Sequence, residues 1–441
     1  MTTLSEPNST SATTNLHRPK RPQLVTELQR ILDQAARGEV PDTDEAQPLA
    51  AEALLADALR ERVSDIHLDP LPEGMLVRMR IDGALLDGCR LESPEAQLLS
   101  NQVRTMAQLD IGAGRGPSHG RLQFHLTDRT VDLRVALAPC LNGQKITIRI
   151  LDPQRLDQRI DGLGLMSENL RTIDRWLGNV HGMLLVTGPT GSGKTTTLYA
   201  LLDQLRQLER NIVTVEDPVE YLIEGINQMQ VDRRSELTYQ NGVQSMLRHD
   251  PDFLLLGEIR GEPSARAAVD AAASGRCLMS TLHSRDAVGV LDVLRNFGLN
   301  DYEISNNLEM VIAQRLVRML CPECRRQGPP EPRDRRWLEA AGLAVPQVTW
   351  HPQGCEACSG IGFHGRTGVF EIWRLTDEDY VAILDRLDQR SLRRQLGERG
   401  HHFLVDDALT KAAQGITCLS ELRNLSGIGP TGMLPGTRKA S

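Results

Sequence analysis

The sequence predicts an α/β protein. It should hold a P-loop nucleotide-binding domain, a smaller α/β domain ahead of it, and a tetracysteine zinc-binding insert behind it. Three observations lead there. Residues 188–195 (GPTGSGKT) fit the G-x-x-x-x-G-K-[ST] phosphate-loop pattern. From about residue 161, apolar strand-like runs alternate with helical segments, which favours a mostly parallel sheet covered by helices. Cys321 with Cys324 and Cys355 with Cys358 form two C-x-x-C pairs.

Bulk composition narrows the class. A length of 441 residues suggests two or three domains, each able to bury a core. Hydrophobic content of 40% and charged content of 24% are ordinary for a globular chain. Aromatics at 3% argue against a base-stacking surface, and a net charge of −8 is a poor footprint for nucleic acid, so no nucleic-acid partner is expected. No apolar stretch approaches membrane-spanning length, and the first twenty residues lack a signal-peptide apolar core, which predicts a cytoplasmic protein. There, eight cysteines suit thiols or metal ligands better than disulfides.

In chain order, residues 1–47 are rich in Ser, Thr, Pro and charge and read as a mobile arm with one short helix around 24–36. A domain over 48–151 follows: a helix over about 49–62, then strand-like segments at 64–68, 75–81, 131–136 and 145–151. Asp82-Gly83 between two of them is a hairpin turn signal. Residues 152–160, charged and carrying a proline, suit a linker. The nucleotide-binding core spans 161–320 and the insert 321–371, whose glycine-rich 360–371 reads as turns leading into a strand. Residues 372–425 form a helical subdomain, and 426–441 a loose tail.

The phosphate loop sits in the right local context. The apolar run 183–186 reads as a buried strand entering it, and Leu198, Leu201, Leu202, Leu205 and Leu208 share one face of a helix starting near Lys194. The glycines let backbone N–H groups converge on phosphate, and the helix N-terminus adds its field. Gly188, Pro189, Thr190, Gly191, Ser192, Gly193, Lys194, Thr195 and Thr196 are the candidate nucleotide-binding residues. Lys194 would neutralise the β/γ-phosphates of ATP, and the Thr195 hydroxyl would ligate Mg²⁺.

Three further strands run into polar residues: 211–215 into Glu216, 253–256 into Gly257 and Glu258, and 277–282 into His283. Ligands of open α/β sheets bind beyond the carboxyl ends of the strands, so these three should share the rim of the phosphate loop. Any one alone suits a solvated strand end; three together suit chemistry. Phosphoryl transfer to water needs a positioned nucleophile and charge neutralisation. Glu258 follows an apolar triplet in the manner of a Walker B carboxylate, with Gly257 where many ATPases carry Asp. Residue types alone leave open whether Glu216 or Glu258 orients the water. His283 is a candidate sensor of the γ-phosphate.

Four thiolates in paired turns suit a closed, tetrahedral Zn²⁺ site with a structural role. The thirty residues between the pairs, 325–354, exceed a compact ribbon and should fold as a small insert. Cys89, Cys140, Cys277 and Cys418 are isolated and read as buried small residues.

Taken together, these stretches resemble the type II secretion and type IV pilus assembly ATPases. The resemblance rests on residues 64–67 (SDIH), the phosphate loop, 215–220 (VEDPVE), 247–252 (LRHDPD), 257–260 (GEIR), 281–283 (TLH), 313–318 (AQRLVR), the four cysteines and 365–368 (GRTG), in family order over roughly 49–425. It implies a RecA-like core flexibly joined to the preceding domain, a homo-hexameric ring, and ATP with Mg²⁺ bound between domains. It puts Glu216 in an aspartate box, Glu258 in Walker B and His283 in a histidine box. By the same likeness Arg115, Arg129, Arg248 and Arg366 reach nucleotide within or across subunits. The partners implied are inner-membrane platform proteins, with the ring peripheral to the inner membrane.

Some positions depart from the pattern. Residues 112–119 lack the usual acidic and Gln-Asp character, Gln244 stands for an arginine, Gly261 for an aspartate and Arg285 for an asparagine. The 47-residue arm also takes the place of a further folded N-terminal domain common in relatives. Rival readings are a type IV pilus assembly motor, a pilus retraction motor, a hexameric nucleic-acid translocase and a non-hydrolysing nucleotide switch. Retraction motors generally lack the cysteine tetrad, which favours secretion or assembly.

Overall fold

The computed structural model describes residues 22–37, 49–110, 116–152, 159–178, 180–232, 234–235 and 237–425, in two compact units divided after Leu151. The first unit is built on a six-stranded antiparallel sheet of β1 (Val63–Leu71), β2 (Gly74–Ile81), β3 (Ala84–Leu91), β4 (Ser118–His125), β5 (Thr130–Cys140) and β6 (Gly143–Leu151), in the order β3-β2-β1-β6-β5-β4. Met75, Val77, Met79 and Ile81 alternate inward along β2, the pattern of a sheet with one buried face. Asp82 and Gly83 both take positive φ, 48° and 85°, and close the β2–β3 hairpin at the Ile81–Ala84 pair, as their turn chemistry requires.

Part of the stretch expected as a mobile arm instead belongs to this core. Residues Thr26–Arg37 form a helix, and Leu24, Val25, Leu28 and Leu32 are at most 2% exposed. Each such side chain contributes about 1.5–3 kcal/mol on burial. The helix start is capped from a distance: Asp57, fully buried on the helix Ala50–Arg60, accepts from the backbone N–H of Glu27 at 3.1 Å and of Leu28 at 2.9 Å. The rest of the arm and the tail from residue 426 lie outside the described residues, as does most of the linker, 153–158.

The second unit holds a seven-stranded sheet in the order β15-β12-β7-β11-β10-β8-β9. Its strands are β7 (Met183–Thr187), β8 (Ile212–Glu216), β9 (Asn227–Gln230), β10 (Phe253–Leu256), β11 (Cys277–Leu282), β12 (Leu308–Leu320) and β15 (Phe363–Arg374); β15 alone is antiparallel. β7, β8, β10 and β11 are buried along their whole length, as parallel strands covered on both faces must be. Apolar clusters on the two faces include Leu185, Leu254 and Leu278 on one and Leu184, Leu255 and Met279 on the other.

Between β12 and β15 lies the insert, with the short strands β13 (Arg326–Gly328) and β14 (Thr349–His351) and the helix Pro332–Ala340. Residues 363–371, expected as part of the insert, instead belong to the main sheet. Pairing with β12 from Met310–Arg374 to Leu320–Phe363 overrides their glycine-rich composition. Four helices, Asp377–Leu384, Gln389–Glu398, Leu404–Ala413 and Leu419–Arg423, complete the unit. No helix among the described residues is long and apolar enough to cross a membrane.

Candidate functional site

β7 delivers the phosphate loop to the carboxyl rim of the sheet. Thr187 pairs with Leu282 of β11 on one side and Ala313 of β12 on the other. Gly188 then turns with φ at 154°, and a Cβ there would come within 2.5 Å of the Gln314 carbonyl oxygen. Only glycine fits. The helix Lys194–Arg206 starts directly behind, so its free N–H groups face the loop. Pro189, Thr190 and Gly191 are exposed at the mouth, Ser192 is buried beneath it, and Thr195 and Thr196 sit half-buried in the first helical turn.

Lys194 Nζ donates to Gly188 O at 2.9 Å and Pro189 O at 3.2 Å, and lies 3.4 Å from His283 Nδ1. Burial draws its ammonium below the usual lysine range, and the Glu258 carboxylate partly opposes that. His283 Nδ1 is 3.0 Å from Gly188 O, and its Nε2 is 3.0 Å from Glu258 Oε1, so both ring nitrogens face acceptors. Glu258 Oε2 accepts from Arg260 Nε at 2.7 Å, and Arg260 Nη1 donates to Asp217 Oδ2 at 3.1 Å. A continuous polar chain thus runs from the loop through His283, Glu258 and Arg260 to Asp217.

Glu216 is placed differently. It is 3% exposed, and its carboxylate accepts from Thr214 Oγ1 at 2.6 Å, Gln228 Nε2 at 3.2 Å and the Tyr199 hydroxyl. Burial, with the Glu216 charge beside it, pushes the Tyr199 phenol well above its ordinary value and keeps it a donor. The Glu258 side chain, by contrast, is 21% exposed at the rim.

Of the four candidate arginines, Arg248 and Arg366 belong to the same unit as the loop. Arg115 lies outside the described residues. Arg129 is in the first unit, bonded to Asp128 at 2.8 Å. Arg248 is exposed beside the amino ends of β8 and β10, where Asn211 Nδ2 bonds the His249 and Asp250 carbonyls. Arg366 is exposed on β15 opposite Arg318, four residues beyond the Gln314–Phe370 pair and hence roughly 13 Å along the strand. Residue patterns gave no role to Asp217, Arg260, Tyr199 or Gln228. The first two stand inside the quoted stretches 215–220 and 257–260, and the other two are marked by tertiary contacts alone.

The four cysteine sulfurs all lie within 4.8 Å of one another. Cys321–Cys355 is 3.8 Å, Cys324–Cys358 3.9 Å and Cys355–Cys358 3.8 Å. A tetrahedron with Zn–S near 2.3 Å has edges of about 3.8 Å, so the donor set fits Zn²⁺. Backbone N–H groups of Gly354, Cys355 and Gly362 point at the Cys324 and Cys358 sulfurs at 3.1–3.2 Å, as thiolate ligands require. Burial raises the Cys358 thiol, but the N–H groups of Cys355 and Gly362, together with the Cys355 and Cys324 side chains, outweigh it and bring it down to about 7. Arg325 braces the cluster, its guanidinium 4.8 Å over the Trp350 ring and its Nη1 on Gly415 O at 2.5 Å.

Fold and site together define a RecA-like P-loop ATPase carrying a tetracysteine cluster. Residues 41–424 match the family described as type II/IV secretion system protein, and the chain belongs to that family. It is 39% identical over 370 residues to the type II secretion system protein E of Dickeya dadantii, covering 84% of this chain and 74% of the relative. It is 37% identical over 374 residues to the type II secretion system ATPase E of Vibrio cholerae, covering 85% and 74%. Among solved structures, the Legionella pneumophila ATPase DotB aligns with a TM-score of 0.62 at 20% identity over 86% of this chain and 96% of that one. The pilus retraction motor PilT aligns at 0.57 and 21%, over 85% and 96%. The chain is an ATP-hydrolysing enzyme of the secretion ATPase class.

Proposed function

We propose that this chain powers type II secretion, as a cytoplasmic homo-hexamer that couples ATP hydrolysis to pseudopilus assembly through inner-membrane platform proteins. The observation carrying this reading is its 36–39% identity, across most of its length, to proteins named for type II secretion. Deletion of the gene in its host, followed by assay of exported proteins and of surface pili, tests it. Lost export with normal piliation is the expected result. Lost pili with normal export would overturn it in favour of type IV pilus assembly.

In the chemistry we assign, Lys194 and the loop N–H groups hold the β/γ-phosphates, and the Thr195 hydroxyl holds Mg²⁺, which when bound neutralises phosphate charge. Glu258 orients and polarises the attacking water, with His283 between it and the loop where loss of the γ-phosphate is sensed. Glu216 takes a supporting role: three donors hold it and it is almost wholly buried, whereas Glu258 is open at the rim. Glu216→Gln should therefore reduce turnover by about tenfold or less while lowering the melting temperature, since one buried acceptor is replaced by a donor. Steady-state phosphate release checks this. A loss larger than that of Glu258→Gln would reverse the two roles.

We further propose that the cysteine cluster holds one structural Zn²⁺. Four thiolates leave no open coordination position, so the ion takes no part in hydrolysis. Cys324→Ser should drop bound zinc from about one per chain to near zero and destabilise the insert, while ADP affinity stays within about threefold. Metal analysis by mass spectrometry beside a nucleotide titration decides it; native protein without zinc would remove the claim.

A further inference from the structure

Two adjacent side chains of β12 lie beneath the phosphate loop without a part in the chemistry above. Gln314 is the first residue past the Ala313–Thr187 pair, level with the start of the loop. It is 1% exposed, and its Nε2 donates to the Ser192 carbonyl oxygen at 2.7 Å. A Cβ on Gly193 would stand 3.2 Å from that nitrogen, so the loop is shaped around the amide. Gln314 Oε1 is buried with no hydrogen-bond partner among the described residues. An orphaned buried acceptor is unfavourable, and the side chain keeps its place through its donor.

Arg315 serves the neighbouring loop. It is 3% exposed; Nη1 donates to Gln314 O at 2.8 Å and Nη2 to Arg285 O at 2.5 Å, two residues past His283. One dipeptide therefore grips the floor of the phosphate loop with its amide and the histidine loop with its guanidinium. A shift of an ångström between those loops would misplace Lys194 relative to the Glu258–His283 pair, and misplacement on that scale costs about a hundredfold in well-oriented reactions.

We propose that Gln314 and Arg315 are positioning residues for ATP hydrolysis, Gln314 setting the phosphate loop for nucleotide binding and Arg315 setting the His283 loop for turnover. The proposal rests on the ATPase assignment. Its test uses the full chain carrying Gln314→Met, Arg315→Met or Arg315→Lys, with kcat, KM for ATP, affinity for a fluorescent ADP analogue and melting temperature measured for each. Gln314→Met keeps the volume and removes the donor; it should weaken ADP binding and raise KM about tenfold, with kcat within about threefold. Arg315→Met should lower kcat at least about tenfold with ADP binding within about threefold, and Arg315→Lys should recover part of that loss.

Folded variants with wild-type KM and kcat would overturn the proposal, as would a lowered melting temperature with both constants unchanged. Should Arg315→Met fail to fold, Arg315→Lys decides: reduced kcat with intact ADP binding supports the proposal, and wild-type kcat overturns it. ADP binding by the wild-type chain separates failure here from failure of the nucleotide site itself.

Discussion

Replacing Lys194 by alanine should abolish ATP hydrolysis, with turnover reduced by at least about a hundredfold. The ammonium nitrogen sits within 3.4 Å of both the loop carbonyls and His283. Charge builds on the phosphoryl oxygens as the bond breaks, and a fixed cation in a partly desolvated cleft stabilises it more than water does. Binding should suffer too, because the β/γ-phosphates lose their neutralising partner. Phosphate release by the purified variant, with circular dichroism to establish folding, measures the effect. Turnover within tenfold of wild type would mean that the loop N–H groups alone hold the phosphates.

Glu258→Gln should be nearly as severe for turnover yet mild for binding. The amide matches the carboxylate in size, and its one oxygen can still accept from Arg260 Nε while its NH2 faces His283 Nε2, but it cannot take a proton or hold a water as a charged acceptor does. A loss of about 10²–10³-fold in kcat follows, with ADP affinity within about threefold. Single-turnover hydrolysis beside a nucleotide titration separates the two quantities. Retained turnover would return the role of water-orienting base to Glu216.

Much of this site can be read in the chain because it is local. The phosphate loop announces itself through a strand, a glycine turn and a helix that are contiguous in sequence, and the cysteine tetrad through two fixed spacings. Sheet rules carry Glu258 and His283 to the same rim, and the structure brings them together at 3.0 Å. They do not distinguish a carboxylate that faces the rim from one clasped by Tyr199 and Gln228, seventeen and twelve residues away.

What stays hidden depends on distant partners. The helix Thr26–Arg37 is legible as a short helix, but its burial is not: the stretch is mostly polar, and Asp57 of the Ala50–Arg60 helix, which caps its start, lies about thirty residues away. β3 (ALLDGCRL) shows no clean alternation, because four of its residues in succession are half-buried. β4 reads as polar because alternate residues face solvent. Residues 363–371 carry glycines that suggest turns, yet the ladder to β12 claims them. Gln314 looks like an ordinary strand polar residue until the loop is folded over it.

The antiparallel ribbon of β12 and β15 joins two places that the chemistry treats separately. Gln314 touches the nucleotide loop, and Cys321, seven positions on, anchors the cysteine tetrad, a reach of roughly 23 Å of extended backbone. A doubly hydrogen-bonded ladder bends poorly, so it behaves as a cantilever: a tilt of a few degrees at its root sweeps its tip by about an ångström. The insert is then carried as the load at the end of a stiff arm, and the sulfur cluster stops that tip from fraying when the root is pulled.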